Sequence, residues 1–190
     1  MPLNLKWATR PLRRPDMPSI NPVRNFMAVF LWVVFGGLTC LAEVSQVWAQ
    51  PTIHIDIPVT LKQANVVFNI SHADFLGDVP AGIKYLHLLA TRFKETGNKG
   101  QMVGIFHGAA AYLTLNDRAY GAYRLVDTGN PYKNLLTSLM KQGVQVEECA
   151  ISMKNNGWGN QDLLPGVKVN GGAVGRLIEL VQEGYIQIQP

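Results

Sequence analysis

The chain has 190 residues, 47% of them hydrophobic and 16% charged, which is enough apolar material for one ordinary core and too little length for two comfortable domains. Its formal charge of +4 is uneven: residues 1 to 49 hold five of the 17 Lys/Arg and two of the 13 Asp/Glu, leaving 12 against 11 and a net of +1 for residues 50 to 190. No Lys/Arg cluster survives in that larger part, which excludes the electrostatic footprint of a nucleic-acid-binding protein.

The N-terminus reads as a targeting segment. Lys6, Arg10, Arg13, Arg14 and Arg24 precede an apolar run from Phe26 to Ala42, and Val47 and Ala49 stand three and one positions before an expected cut after Ala49. That order of basic, apolar and compact residues is a secretory signal peptide, so the protein is expected in the periplasm or secreted. The alternative is an uncleaved membrane anchor over residues 26–42, at the short edge of what spans a bilayer, with a membrane as partner only in that case. Met17 is an alternative start. Residues 50 to 63, with two prolines and apolar Ile53, Ile55 and Ile57 in alternation, suit an extended arm.

Residues 64–190 form the expected domain. Val66 to Ile70 is a first strand, and Pro80 opens a helix whose Ile83, Leu86, Leu89 and Phe93 recur at three- and four-residue spacing until Gly97. Gln101 to Phe106 is a second strand, followed by an Ala-rich segment with Leu113 and Leu115. Asn130 to Gln142 reads as a helix with an Asn cap, Pro131 in its first turn and Gly143 beyond its end. Val144 to Glu148 is the next strand, Ser152 to Asn156 a short helix, Val167 to Val169 a brief strand, Ala173 to Glu183 an amphipathic helix and Tyr185 to Ile188 a last strand. The alternation predicts an α/β fold, a three-layer α/β/α sandwich with a mostly parallel sheet of about five strands. Such sheets bind ligands beyond the carboxyl ends of their strands.

Cys149 stands at such an end, just ahead of a short helix. Removal of residues 1 to 49 takes Cys40 away and leaves Cys149 as a lone thiol, which is an intermolecular disulfide partner, a free reactive group or a small buried hydrophobe. Backbone N–H groups and the helix dipole would lower its pKa, whereas Glu147, on the same strand face, would raise it and Glu148 should point to the opposite face. His107 after the second strand, and Asn69 and Ser71 after the first, fall on the same rim, and a Cys149 and His107 nucleophile and base pair is one reading of them. Asn156, with Asn69 and His107, is a candidate binding residue for a small ligand or partner. Neither His72 with Asp74 nor His72 with His107 has a metal-ligand spacing with a mechanism behind it, so no metal and no other cofactor is expected. Gly104, Gly108, Gly171, Gly172 and Gly175 lack the spacing of a dinucleotide fingerprint and read as close helix packing and a flexible helix start.

The segment from Gly143 through Val146, Glu148, Cys149 and Met153 to Gly157 resembles the strand, cysteine and helix of the DsrE/DsrF-like sulfur-relay proteins. The first strand and helix, the Phe106-His107-Gly108 turn, the Leu164-Pro165-Gly166-Val167 step and the closing Gly184-Tyr185 extend the resemblance over about residues 64 to 190. It implies an exported sulfur carrier or sulfurtransferase-like protein that holds a persulfide on Cys149, with a sulfane-sulfur donor and a thiol acceptor as partners, assembled as a trimer or hexamer. The alternative is a non-catalytic oligomeric module of the same fold that binds a small ligand or partner.

Overall fold

The computed structural model describes residues 52–190; the expected signal peptide or anchor lies outside these residues. Residues 52 to 63 form no helix or strand and are exposed, with Ile53, Ile55 and Ile57 all turned to solvent. The domain that follows is built on a five-stranded sheet in the order β6-β5-β4-β1-β7, every neighbouring pair parallel. These strands are β1 (Val66–Ile70), β4 (Met102–Phe106), β5 (Gln145–Cys149), β6 (Lys168–Asn170) and β7 (Ile186–Ile188). A two-stranded hairpin, β2 (Phe75–Leu76) and β3 (Val79–Pro80), stands apart from it.

The central strands are apolar on both sides because both sides are covered. Phe68, Ile70, Phe106 and Val146 face one layer, where Ile83, Leu86, Ala90 and Phe93 of α1 (Ala81–Thr96) and Leu136 and Leu139 of α3 (Lys133–Lys141) complete the larger core. Val67, Val103, Ile105 and Cys149 face the other, beneath Ala173, Leu177 and Leu180 of α5 (Ala173–Gln182). Gly104 lets α1 settle on the sheet: a Cβ there would lie 2.8 Å from Leu86 Cδ1. The three-layer sandwich expected from the alternation is therefore present, with a five-strand parallel sheet flanked by helices.

Several local features differ from the sequence reading. Pro80, expected to open α1, caps it and at the same time ends β3 of an unforeseen hairpin. The Ala-rich segment is a 3-10 helix, Gly108–Thr114, whose residues from Ala110 onward are buried. It is followed by α2 (Asp117–Arg124), a helix of only eight residues whose start is fixed by Asn116 Oδ1 accepting the Ala119 N–H at 2.9 Å. Helix α3 begins three residues later than expected: Asn130 Oδ1 accepts the Tyr132 N–H at 2.9 Å, and its amide donates to the Leu113 and Leu115 carbonyls at 2.8 and 2.6 Å, so it ties two loops together ahead of the helix.

Candidate functional site around Cys149

Cys149 is the last residue of β5, and α4 (Ala150–Asn156) begins at the next residue. The same end of the sheet presents His107, directly after β4, and Asn69 and Ser71 at the end of β1. Cys149 and His107 line one cavity of about 280 Å3, together with Ile151, Ser152, Gly172 and Ala173. The cysteine is only 4% exposed, so its sulfur forms a cavity floor and does not project from the surface.

Burial by itself pushes the Cys149 thiol up, yet its pKa lies below the ordinary value because hydrogen bonds to the sulfur together outweigh the lost solvation. The Ala173 N–H donates to Sγ at 3.4 Å, and the Ser152 and Ile151 N–H groups and the Ser152 hydroxyl at the start of the following helix also favour the anion. Ser152 Oγ in turn accepts the Gly108 N–H at 2.9 Å, an arrangement that leaves its proton free to face the sulfur. The thiolate is therefore held by donors from α4 and α5, and by a hydroxyl braced from the loop after β4.

Both neighbouring carboxylates are neutralised, by different means. Glu147 shares the thiol's face of β5 as expected, but Arg176 Nε donates to it at 3.1 and 3.2 Å, and Asn170 Nδ2 and Gln145 Nε2 donate at 3.1 and 2.6 Å. Glu148 points to the opposite face, is 0% exposed and is pushed up to about 9, mainly by burial. Its Oε2 lies 2.8 Å from Thr114 Oγ1, and that hydroxyl also lies 3.0 Å from the Ala111 carbonyl. One hydroxyl proton cannot serve both, so the protonated Glu148 donates to Thr114, Thr114 donates to Ala111, and Glu148 Oε1 accepts the Cys149 N–H at 3.0 Å.

His107 has its pKa lowered by burial and then by His72, which favours its neutral form. Its Nε2 lies 2.7 Å from Asn69 Oδ1, and among the described residues no hydrogen bond joins it to the Cys149 thiol. The structure thus brings His107 to the Cys149 cavity, connects Asn69 to that cavity through His107, and leaves Asn156 apart. The Asn156 amide donates to the Ser152 carbonyl at 2.8 Å, closing the last turn of α4, and Asn156 does not line the cavity. Ser152 and Ala173 were not singled out from sequence. Ser152 stands three residues after the cysteine, where a first-turn side chain can reach back, and this was the available signal. The N–H of Ala173 comes from 24 residues away and left none. Among the described residues no cluster of His, Cys, Asp or Glu could hold a metal ion.

A family model described as DsrE/DsrF-like matches residues 83–190, a span that contains His107, Cys149, Ser152 and Ala173. The chain belongs to the DsrE/DsrF-like family. Two solved structures share its fold. A protein of unknown function, MTH1491, from Methanobacterium thermoautotrophicum is 21% identical with a TM-score of 0.50, covering 67% of this chain and 99% of its own. The ychN protein from E. coli is 16% identical with a TM-score of 0.50 and the same coverage of both chains. No curated protein matches the chain. Membership of the DsrE/DsrF-like family relates this protein to sulfur transfer.

Proposed function

We propose that this DsrE/DsrF-like protein carries sulfane sulfur as a persulfide on Cys149, accepting it from a sulfane-sulfur donor and yielding it to an acceptor thiol. The observation that carries the reading is a thiol at the floor of a cavity, whose sulfur accepts the Ala173 N–H and whose pKa lies below the ordinary value. In loading, the Cys149 thiolate attacks the sulfane sulfur of the donor, the donor's sulfur–sulfur bond breaks and its thiolate leaves. In unloading, an acceptor thiolate attacks the outer sulfur and Cys149 leaves as the thiolate these donors stabilise. Cys40 is the only other cysteine and lies in the segment read as removed on export, so a second thiol to close an intramolecular disulfide is lacking after cleavage.

Export to the periplasm or beyond belongs to the same proposal and is supported by the N-terminal pattern. A homo-oligomer is supported by the row Val174, Ile178 and Val181, which is exposed along one side of α5 at helical spacing. The deciding experiment is intact-mass spectrometry before and after incubation with thiosulfate or polysulfide, with Cys149→Ser as control. A reductant-sensitive gain of roughly 32 Da, one sulfur atom, that is absent from the variant supports the carrier. A free thiol that gains nothing supports the alternative module, which binds a small ligand or partner without chemistry.

A further inference from the structure

The rim beside Cys149 holds a string of side chains that the carrier reading does not use. His107 Nε2 lies 2.7 Å from Asn69 Oδ1, Asn69 Nδ2 donates to Gln189 Oε1 at 2.6 Å, Gln189 Nε2 reaches Ser71 Oγ at 3.4 Å, and Ser71 Oγ lies 2.8 Å from His72 Nδ1. With the two amides oriented as they stand, every link donates in one direction. Asn69 spends its N–H on Gln189, so its oxygen can only accept, and His107 must carry its proton on Nε2. Nδ1 is then the basic nitrogen, and among the described residues nothing donates to it. His107 itself lines the Cys149 cavity.

Cys149 has no need of this base, since its anion is already held by four donors and His107 is not one of them. An incoming acceptor thiol does need one, because an ordinary thiol of pKa about 8.5 arrives mostly protonated at neutral pH. We propose that His107, locked in its Nε2–H tautomer by Asn69 and Gln189, is the base that deprotonates the acceptor thiol when sulfur leaves Cys149. The proposal rests on the carrier reading of Cys149. In the step, the acceptor S–H proton passes to His107 Nδ1 and the sulfur lone pair forms a bond to the outer sulfur of the persulfide. The sulfur–sulfur bond breaks onto Cys149, whose thiolate is received by the Ser152, Ala173 and Ile151 N–H groups. The product is the acceptor persulfide, and the imidazolium returns its proton to solvent. No oxidant or reductant enters.

The test uses the full chain with Cys40→Ser throughout, loaded with polysulfide, freed of excess donor, and mixed with small acceptor thiols whose pKa values run from about 7 to about 10. Loss of the added sulfur is followed by quenched mass spectrometry in the parent protein and in H107Q, H107A and N69L. The expected result is that all four can be brought to the fully loaded state before mixing and that, for the thiols of highest pKa, unloading is slowed about 100-fold by H107Q. For thiols already ionised at the assay pH the slowing should vanish, and added imidazole should restore unloading in H107A. N69L should lose part of the rate while the nitrogen NMR shifts of His107 move from a pure Nε2–H tautomer to a mixture. Unloading within twofold of the parent across all thiols in H107Q, or an Nδ1–H tautomer in the parent, overturns the proposal and leaves the carrier reading intact. Failure of the parent to load at all overturns the carrier reading and this one with it.

Discussion

Ser152→Ala removes one of the four donors on the Cys149 sulfur and leaves the three backbone N–H groups in place. A hydrogen bond to a charged group contributes about 1.5–3 kcal/mol. The lower end applies here, because the cavity is open enough for water to stand in and Gly108, whose N–H loses Ser152 as its acceptor, is exposed. About 1.5 kcal/mol corresponds to a rise of about one pKa unit. At a pH well below both midpoints the thiolate fraction then falls about tenfold, while each thiolate becomes about threefold more nucleophilic at a Brønsted slope near 0.4–0.5. The net reaction with a small aromatic disulfide should be about threefold slower at low pH and about threefold faster at high pH, so the two rate profiles cross. The assay is the rate of mixed-disulfide formation at Cys149 against pH, resolved from Cys40 by peptide mass spectrometry. Ser152→Thr, which keeps the hydroxyl, should follow the parent. Profiles that share a midpoint and never cross would show that the hydroxyl does not face the sulfur, and the account of the lowered pKa would fail.

Three further outcomes follow from the surroundings of the thiol. Glu148 has a folded pKa of about 9 against an ordinary value of 4.5, so its protonated form contributes stability that is fully present below about pH 4.5 and is lost as pH rises through about 9. Urea unfolding at pH 5 and pH 8 should show that loss in the parent and a flatter dependence in Glu148→Gln. Arg176→Gln leaves the 3%-exposed Glu147 carboxylate without its cation. Since Arg176 itself is 23% exposed, the expected cost is the lower end of a broken buried pair, about 3 kcal/mol by chemical denaturation, with part recovered in the double variant with Glu147→Gln. Gly104→Ala places a Cβ 2.8 Å from Leu86 Cδ1 and 3.4 Å from Phe106 Cε2 between sheet and helix, and should cost about 1–3 kcal/mol in thermal or urea unfolding with m unchanged.

The elements of the sandwich that could be read in advance are those whose burial follows a period. Val66 to Ile70 is recovered residue for residue, and α1 falls within a residue of its expected bounds because Ile83, Leu86 and Phe93 repeat toward one face and Gly97 closes it in the left-handed region at φ 66°. What escaped is short. The 3-10 helix Gly108–Thr114 is buried from Ala110 onward, and α2 has only eight residues and starts on one Asn cap. At the site, period-two alternation placed Glu147 and Glu148 on opposite faces correctly, yet their consequences were hidden: the cation for Glu147 comes from α5, and the hydroxyl beside Glu148 from the 3-10 helix. The glycines read as packing and a flexible helix start do more than that, since Gly108, Gly172 and Gly175 line the cavity and leave its volume open.

The sheet order explains why a cysteine at this strand end becomes a stabilised thiolate. β6 lies at one edge of the sheet and β7 at the other, so the chain leaving β6 must cross one face of the sheet, over β4 and β1, before it pairs with Val66 to Phe68. The helix making that crossing is α5, and its first residue, Ala173, passes over the end of β5, where its N–H meets the sulfur of Cys149. Three residues further along, Arg176 meets Glu147, the residue two before the cysteine and on the same face. One crossover therefore supplies a donor to the thiolate and removes the carboxylate charge that would oppose it. Neither effect depends on α4, so shortening or mutating α4 alone should weaken the thiolate without abolishing it, whereas displacing the start of α5 removes both contributions at once.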